Sequence, residues 1–198
     1  MPVLGGSAGA ATSARAGRTG IQRLGSLLAG VGDAGLANTL TSLGLADLVG
    51  KTRFDVLDEL ITYVAGDGDD LDSQAARDAV CDVLDQVFAD AADWDEMADT
   101  AEATVSHEGM ASLLEMFLAQ YVYNRVPVVA ERLSRITDPQ AARRADEEMR
   151  QIIQDFVSLR LPEDPYAVDW AGPEGRDIAN DAVQAVYETL QSLVDDEQ

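Results

Sequence analysis

Apolar residues recur at intervals of three and four along most of the chain from residue 21 onward, which is the spacing of one face of an α-helix. The clearest runs step through residues 76–88 and 110–122, and further runs occupy residues 21–28, 36–43, 54–64, 145–156 and 178–190. No segment alternates apolar and polar residues for long enough to indicate a β-strand. The pattern predicts an all-α protein, a single bundle of about six or seven helices.

Individual positions follow from the same spacing. Phe54 is predicted on the apolar face of the third run and Ile152 on that of the run at 145–156, while Asp72 or Ser73 is predicted to cap the helix through residues 76–88. Asp138-Pro139 is predicted to open another helix, since proline suits the first helical turn.

Residues 1 to 16 break the helical pattern. The stretch "PVLGGSAGAATSARA" is rich in Gly, Ala and Ser, and its large apolar residues are Val3 and Leu4. Such a segment buries too little apolar surface to offset the entropy lost on ordering. We therefore predict a flexible tail over residues 1–16 and an acidic helical domain over residues 17–198.

The N-terminal part of the chain also differs from the rest in its charge. The first 32 residues carry Arg15, Arg18 and Arg23 and no acid, whereas residues 33–198 carry 36 acids against 11 cations, a balance of −25. So acidic a body repels nucleic-acid backbones and anionic membranes, which excludes broad binding to either. Lysine occurs once and Asp outnumbers Glu by 24 to 12, which indicates a halophilic host or a GC-rich genome.

The N-terminal sequence lacks the charged lead and long apolar core of a signal peptide, and no stretch is apolar enough to span a membrane. Cys81 is the single cysteine, so no disulfide framework or cysteine metal cage is present. These features favour a cytoplasmic protein.

Candidate sites have weak support. "GVGDAG" (residues 30–35) has the glycine spacing of a dinucleotide loop but follows a helical segment, which favours a hinge between helices. "DGDDLDSQAARD" (residues 67–78) resembles a calcium loop but has Leu, Asp and Asp where that loop needs an oxygen ligand, Gly and Glu. Asp78, Asp82 and Asp85 share a helix face, which is more typical of a charged surface. Trp94 and Trp170 are predicted in loops before helices, where each is expected to plug an end of the bundle; the alternative is a partly exposed Trp that anchors a partner.

Several stretches in order resemble the B component of Qat anti-phage systems (QatB-like proteins). They are "RAGRTGIQRLGSLLAG", "LTSLGLADLVGKTRFDVLDELITYV", "DGDDLDSQAARDAVCDVLDQV", "YVYNRVPVVAERL" and "ADEEMRQIIQDFV". The resemblance covers most of residues 15 to 157. It implies a role in defence beside an ATPase, a QueC-like enzyme of the deazaguanine pathway (QatC-like) and a TatD-like nuclease.

The resemblance implies no active site and no cofactor, and it transfers no functional residue. We predict a non-enzymatic subunit that binds the QueC-like protein, with Gly5, Gly6, Arg15, Arg18 and Arg23 as the residues that dock or are modified. Two alternatives stay open. One is a metal-dependent enzyme that uses residues 67–78, and the other is an acidic helical adaptor unrelated to defence.

Overall fold

The computed structural model describes residues 14–89, 91–105, 107–125 and 137–195, and these ranges contain eight α-helices and no strand. The predicted all-α class is confirmed. Two short 3-10 helices, Ala46–Leu48 and Pro165–Ala167, lie in connections. The helices are α1 (Arg15–Ala34), α2 (Leu36–Ser42), α3 (Arg53–Ala65), α4 (Leu71–Val87), α5 (Trp94–Thr104), α6 (His107–Arg125), α7 (Pro139–Ser158) and α8 (Pro173–Asp195).

Helix α5 is the element that the apolar spacing did not predict. It is 11 residues long and buries only Met97 and Ala101, so its apolar stripe is narrow. Its start is nevertheless well defined, because the Asp93 carboxylate accepts a hydrogen bond from the Glu96 backbone N–H at 3.0 Å. The helix count is therefore eight in the described ranges rather than six or seven.

Helix α1 forms the centre of the bundle and contacts α2, α3, α4, α5, α6 and α8. Its glycines allow this crowding. A Cβ atom added at Gly17 would overlap the Tyr121 ring, one at Gly20 would lie 2.6 Å from the Phe117 ring, and one at Gly25 would overlap Trp170. Each glycine therefore forms a notch that receives an aromatic ring. Close packing of this kind tolerates little change in volume.

The connection between α7 and α8 runs over one side of α1. Trp170 is buried there, and its indole N–H donates to the Pro165 carbonyl oxygen at 2.8 Å. The Tyr166 hydroxyl donates to the Val105 carbonyl at 2.7 Å, which ties the connection to the end of α5. The expectation that Trp170 plugs the bundle is met, whereas Trp94 is the first residue of α5 and is only half-buried.

Two predicted core positions are wrong. Phe54 is 77% exposed because Val56, Leu60 and Val64 form the buried face of α3 and turn Phe54 outward. Ile152 is 38% exposed because Ile153 and Val157, four residues apart, take the core positions of α7.

Of the helix caps predicted from the sequence, the one at α7 is confirmed and the one at α4 is wrong. Asp138 caps α7 with Pro139 at its first position, as predicted, and its carboxylate accepts from the Gln140 and Ala141 N–H groups. Asp70, and neither Asp72 nor Ser73, caps α4 by accepting from the Ser73 N–H at 2.7 Å. Asp72 is instead buried in the first turn of α4.

Candidate functional site

A buried carboxylate joins the start of α1 to α4 and α6. Asp72 is 9% exposed, and its Oδ2 accepts a hydrogen bond from the Ala16 backbone N–H at 2.9 Å. Its Oδ1 accepts another from the Tyr121 hydroxyl at 2.5 Å and lies 2.8 Å from Arg125 Nε. The approach of Arg125 is an ion pair rather than a linear hydrogen bond. We call these groups the Asp72 cluster.

The Asp72 cluster provides the hydrogen-bond acceptor at the start of α1, where the local sequence has no capping residue. Ala14 precedes α1 and has no side chain that can cap it. The first N–H groups of a helix have no partner within the helix, and the helix dipole favours an anion beside them. Asp72, distant in sequence, provides both the acceptor and the charge. Tyr121 and Arg125 reach the same point because residues four apart share one face of α6.

The loop that precedes α4 is held against the same end of the bundle. Gly66, with φ of +83°, ends α3, and its carbonyl oxygen accepts from Arg77 Nε at 3.2 Å and Nη2 at 2.9 Å. At the other end of the loop, the hydrogen bond from the Ser73 N–H lowers the pKa of the Asp70 carboxyl. Between them Asp67, Gly68 and Asp69 are exposed, and Leu71 is 87% exposed.

The residues that the sequence assigned to docking or modification fall in three places. Gly5 and Gly6 lie outside the described residues. Arg15 is the exposed first residue of α1, and Arg18 follows one turn later, partly buried. Arg23 is engaged within the body, because its Nη1 donates to the Tyr63 carbonyl at 2.6 Å and its guanidinium lies 5.5 Å from the Tyr63 ring centroid. The geometry brings Arg15, and not Arg23, to the start of α1.

A polar groove runs between α6 and α7, with a volume of about 310 Å³. On one wall the Arg150 guanidinium lies 3.8 Å from the Tyr123 ring centroid, 3.1 Å from an Asp146 oxygen and 3.1 Å from Gln120 Oε1. The hydrogen bond from Tyr123, reinforced by Arg150, lowers the pKa of Asp146. Burial alone raises the pKa of Glu115, which also lines the groove.

A second, shallower depression of about 410 Å³ adjoins the start of α5. It is lined by residues 50–52 and 92–95, and so places Lys51, the single lysine, beside Trp94. The half-burial of Trp94 fits a side chain that packs on the core while one edge stays accessible.

The glycine and acid motifs have structural uses. Gly30 and Gly32 lie inside α1, where added Cβ atoms would meet Thr39 and Tyr166, and only Gly35 turns the chain, with φ of +80°. "GVGDAG" is thus a helix end followed by α2, as the hinge interpretation expects. Within the described ranges no group of three or more His, Cys, Asp and Glu side chains is arranged to hold a metal ion.

Cys81 shares the outer side of α4 with Asp78 and Asp82. Burial, followed by the neighbouring acids, raises the pKa of its thiol. Burial and then Asp78 raise the pKa of Asp82 as well. A raised thiol pKa disfavours the thiolate, which is the reactive form of cysteine.

Sequence reasoning missed the Asp72 cluster. Asp72 looks like a local cap, and nothing in the order of residues shows that α1 starts beside α4. One signal was present: α1 opens at "ARAGR" without a Ser, Thr, Asp or Asn cap, so its N–H groups required an acceptor from elsewhere.

None of the helices in the described part of the chain is long and apolar enough to cross a membrane.

Comparison with known proteins gives one match. No curated protein and no solved structure matches this chain. A family model described as "Qat anti-phage system associated protein QatB" matches residues 5–190, which adds α8 to the stretches noted in the sequence. The chain therefore belongs to the QatB family, the B component of the Qat anti-phage systems.

Proposed function

We propose that this chain is a non-enzymatic subunit of a Qat system that binds the system's QueC-like protein through the segment before Ala14. Membership of the QatB family places the chain among Qat system components. The partner comes from the resemblance, which implies a QueC-like protein, an ATPase and a TatD-like nuclease as companions.

The observation that carries the proposal is the way the body holds the start of α1. Ala14 is fully buried, and Ala16 is bound by Asp72. Ala14, to which residue 13 is joined, therefore has a fixed position on the folded domain. The composition of residues 1–13, with Gly5, Gly6 and Gly9 and no acid, suits entry into a cleft that the strongly acidic body cannot enter.

The polar clusters of the body support a non-enzymatic role. Asp72 binds Tyr121, Arg125 and the start of α1, and these contacts stabilise the fold. Arg150, Tyr123 and Asp146 likewise link α7 to α6. These groups act on the stability of the bundle.

The chemistry implied by the partner extends the proposal to the segment itself. A QueC-type enzyme activates a carboxylate on a deazaguanine base for attack by an amine, normally ammonia. Hydrolysis of the Leu4–Gly5 peptide bond would expose the unhindered amine of Gly5. That amine would form an amide with the activated carbon, losing a proton while the activating group leaves. The family match begins at residue 5, so Gly5 lies in the shared part of the chain.

Removal of residues 2–13 tests the docking role. Ala14 is kept because it is buried and its carbonyl accepts from the Arg18 N–H. We expect the truncated chain to keep the helical circular dichroism of the full chain and to lose co-purification with the QueC-like protein. A chain in which a Gly/Ser segment of equal length replaces residues 2–13 is the matched control, and it should also fail to bind. Retention of the partner by either variant would refute docking through this segment.

Intact mass after co-expression tests the covalent step separately. We expect a chain that starts at Gly5 and carries the additional mass of the deazaguanine acyl group on its N-terminal amine. Detection of only the full-length or Met-trimmed chain would refute the conjugation and leave the docking result to stand by itself.

A further inference from the structure

The end of the bundle where α1 starts carries an unusual set of exposed side chains. They adjoin Ala16 and Asp72 along the chain, and we call them the α1-start surface; they are Arg15, Asp67, Asp69, Asp70 and Leu71. Leu71 is 87% exposed, more than Phe54 at 77% and Leu159 at 75%. Single exposed apolar residues are common, so the meaning of Leu71 depends on its position.

The position of Leu71 is fixed beside the point from which residues 1–13 extend. Its neighbour Asp72 holds the Ala16 N–H at 2.9 Å. Ala14 follows Gly5 by nine positions along the chain, and nine extended residues span about 30 Å. A protein that grips Gly5 must therefore come within about 30 Å of the start of α1, less than the diameter of an ordinary domain.

The α1-start surface is also preorganised. Arg77 holds Gly66 by two hydrogen bonds, Asp70 caps α4 through Ser73, and Asp72 binds α1 and α6. An added Cβ at Gly68 would overlap Ser73, so the loop lies close against the first turn of α4. A surface that is already ordered loses little entropy when a partner binds it.

We infer that the α1-start surface is a second contact for the protein that binds residues 1–13, with Leu71 as its apolar anchor. This inference rests on the proposed function. Three acids against one arginine give the surface a net negative charge, so the complementary face is an apolar recess with a basic rim. Contact at two linked points would raise the affinity above that of the segment alone.

Substitution of Leu71 by Asp tests the inference, and Phe54 supplies the matched control. Phe54 is 77% exposed and also lies in the first turn of a helix. Its neighbour Arg53 contacts Asp85, which is thirteen residues along α4 from Asp72 and so about 20 Å away. L71D should weaken binding of the QueC-like protein about tenfold, whereas F54D should leave it within about twofold.

The binding of the unaltered chain separates the two ideas. If the full chain does not bind the QueC-like protein, the proposed function fails. If the full chain binds and L71D binds equally well, the α1-start surface is not a contact and the inference fails alone. Greater loss in F54D than in L71D would overturn it too. Unchanged thermal melting of both variants shows that the comparison reports on binding, since both positions are exposed.

Discussion

Helices α1 and α7 are each 20 residues long, but they are built in opposite ways. Helix α1 buries eight residues, lies at the centre of the bundle and has its first turn capped by Asp72, 56 residues away in sequence from Ala16. Helix α7 buries Ile153 and Val157, lies against α6 and α8, and carries its own cap, Asp138. Helix α7 therefore carries its capping residue in its own sequence, whereas the acceptor at the start of α1 comes from a helix that is distant in the chain.

This difference bears on function. The start of α1 is held to α4 and α6 through the Asp72 cluster, so Ala14 has a defined position on the folded domain. A partner that binds residues 1–13 meets a defined surface.

The largest expected effect comes from removal of the distant cap. D72A leaves the Tyr121 hydroxyl, the Ala16 N–H and a buried guanidinium without the carboxylate that they bind. We expect the free energy of unfolding to fall by about 3 kcal/mol in urea denaturation. D138A, which removes the exposed local cap of α7, should cost about 1 kcal/mol. Equal losses would remove the distinction between the two helices.

Filling a glycine notch should have the next largest effect. Alanine is intrinsically favoured over glycine in a helix by about 1 kcal/mol. G25A should nevertheless destabilise the protein by about 1–3 kcal/mol, because the new methyl group overlaps Trp170, which is held by its bond to Pro165. On α7 the exposed substitution E148A should change stability by less than about 0.5 kcal/mol. A stabilised G25A protein would show that the notch is loosely packed.

Added salt should stabilise the exposed acidic helices more than the buried core. Screening of the −25 charge on residues 33–198 should raise the thermal midpoint by on the order of 5 °C between dilute buffer and molar KCl. Slowing of amide exchange should be greater in α7 than in α1. A midpoint that does not respond to salt would assign the acidity to genome composition.

A smaller pair of effects, with opposite dependence on pH, is expected at Glu115, which lines the groove between α6 and α7, and at Asp146, which binds Arg150 beside it. Burial raises the pKa of Glu115, so its ionised form is disfavoured in the folded state. E115Q should slightly raise the melting temperature at neutral pH, and the gain should vanish below about pH 4, where glutamate is protonated in both states.

Asp146 has a lowered pKa through Tyr123 and Arg150, so its contribution to stability is present at neutral pH and is lost as the pH falls below about 4. D146N should therefore lower the melting temperature at neutral pH and converge on the unaltered protein in acid. Parallel pH profiles for E115Q and D146N would contradict this assignment.

The parts of the fold that sequence could predict are those with local causes. The helix start at Asp138-Pro139 and the helices α4 and α6 can be predicted from the residues of those segments alone. The predictions for Phe54 and Asp72 were wrong because tertiary packing determines their surroundings. Val56 lies on the buried face of α3, which leaves Phe54 exposed. Asp72 is buried because the start of α1 packs against it and donates the Ala16 N–H to it. Of the candidate residues, Arg15 lies at the start of α1, while Arg23 is held by Tyr63.

Amide hydrogen exchange, measured with and without the QueC-like protein, shows whether the partner binds where α1 starts. Binding should slow amide exchange in residues 15–20 and 67–74 and leave exchange in residues 51–56, at the start of α3, unchanged. Slower exchange confined to residues 51–56 or to α7, with none at residues 67–74, would contradict this prediction.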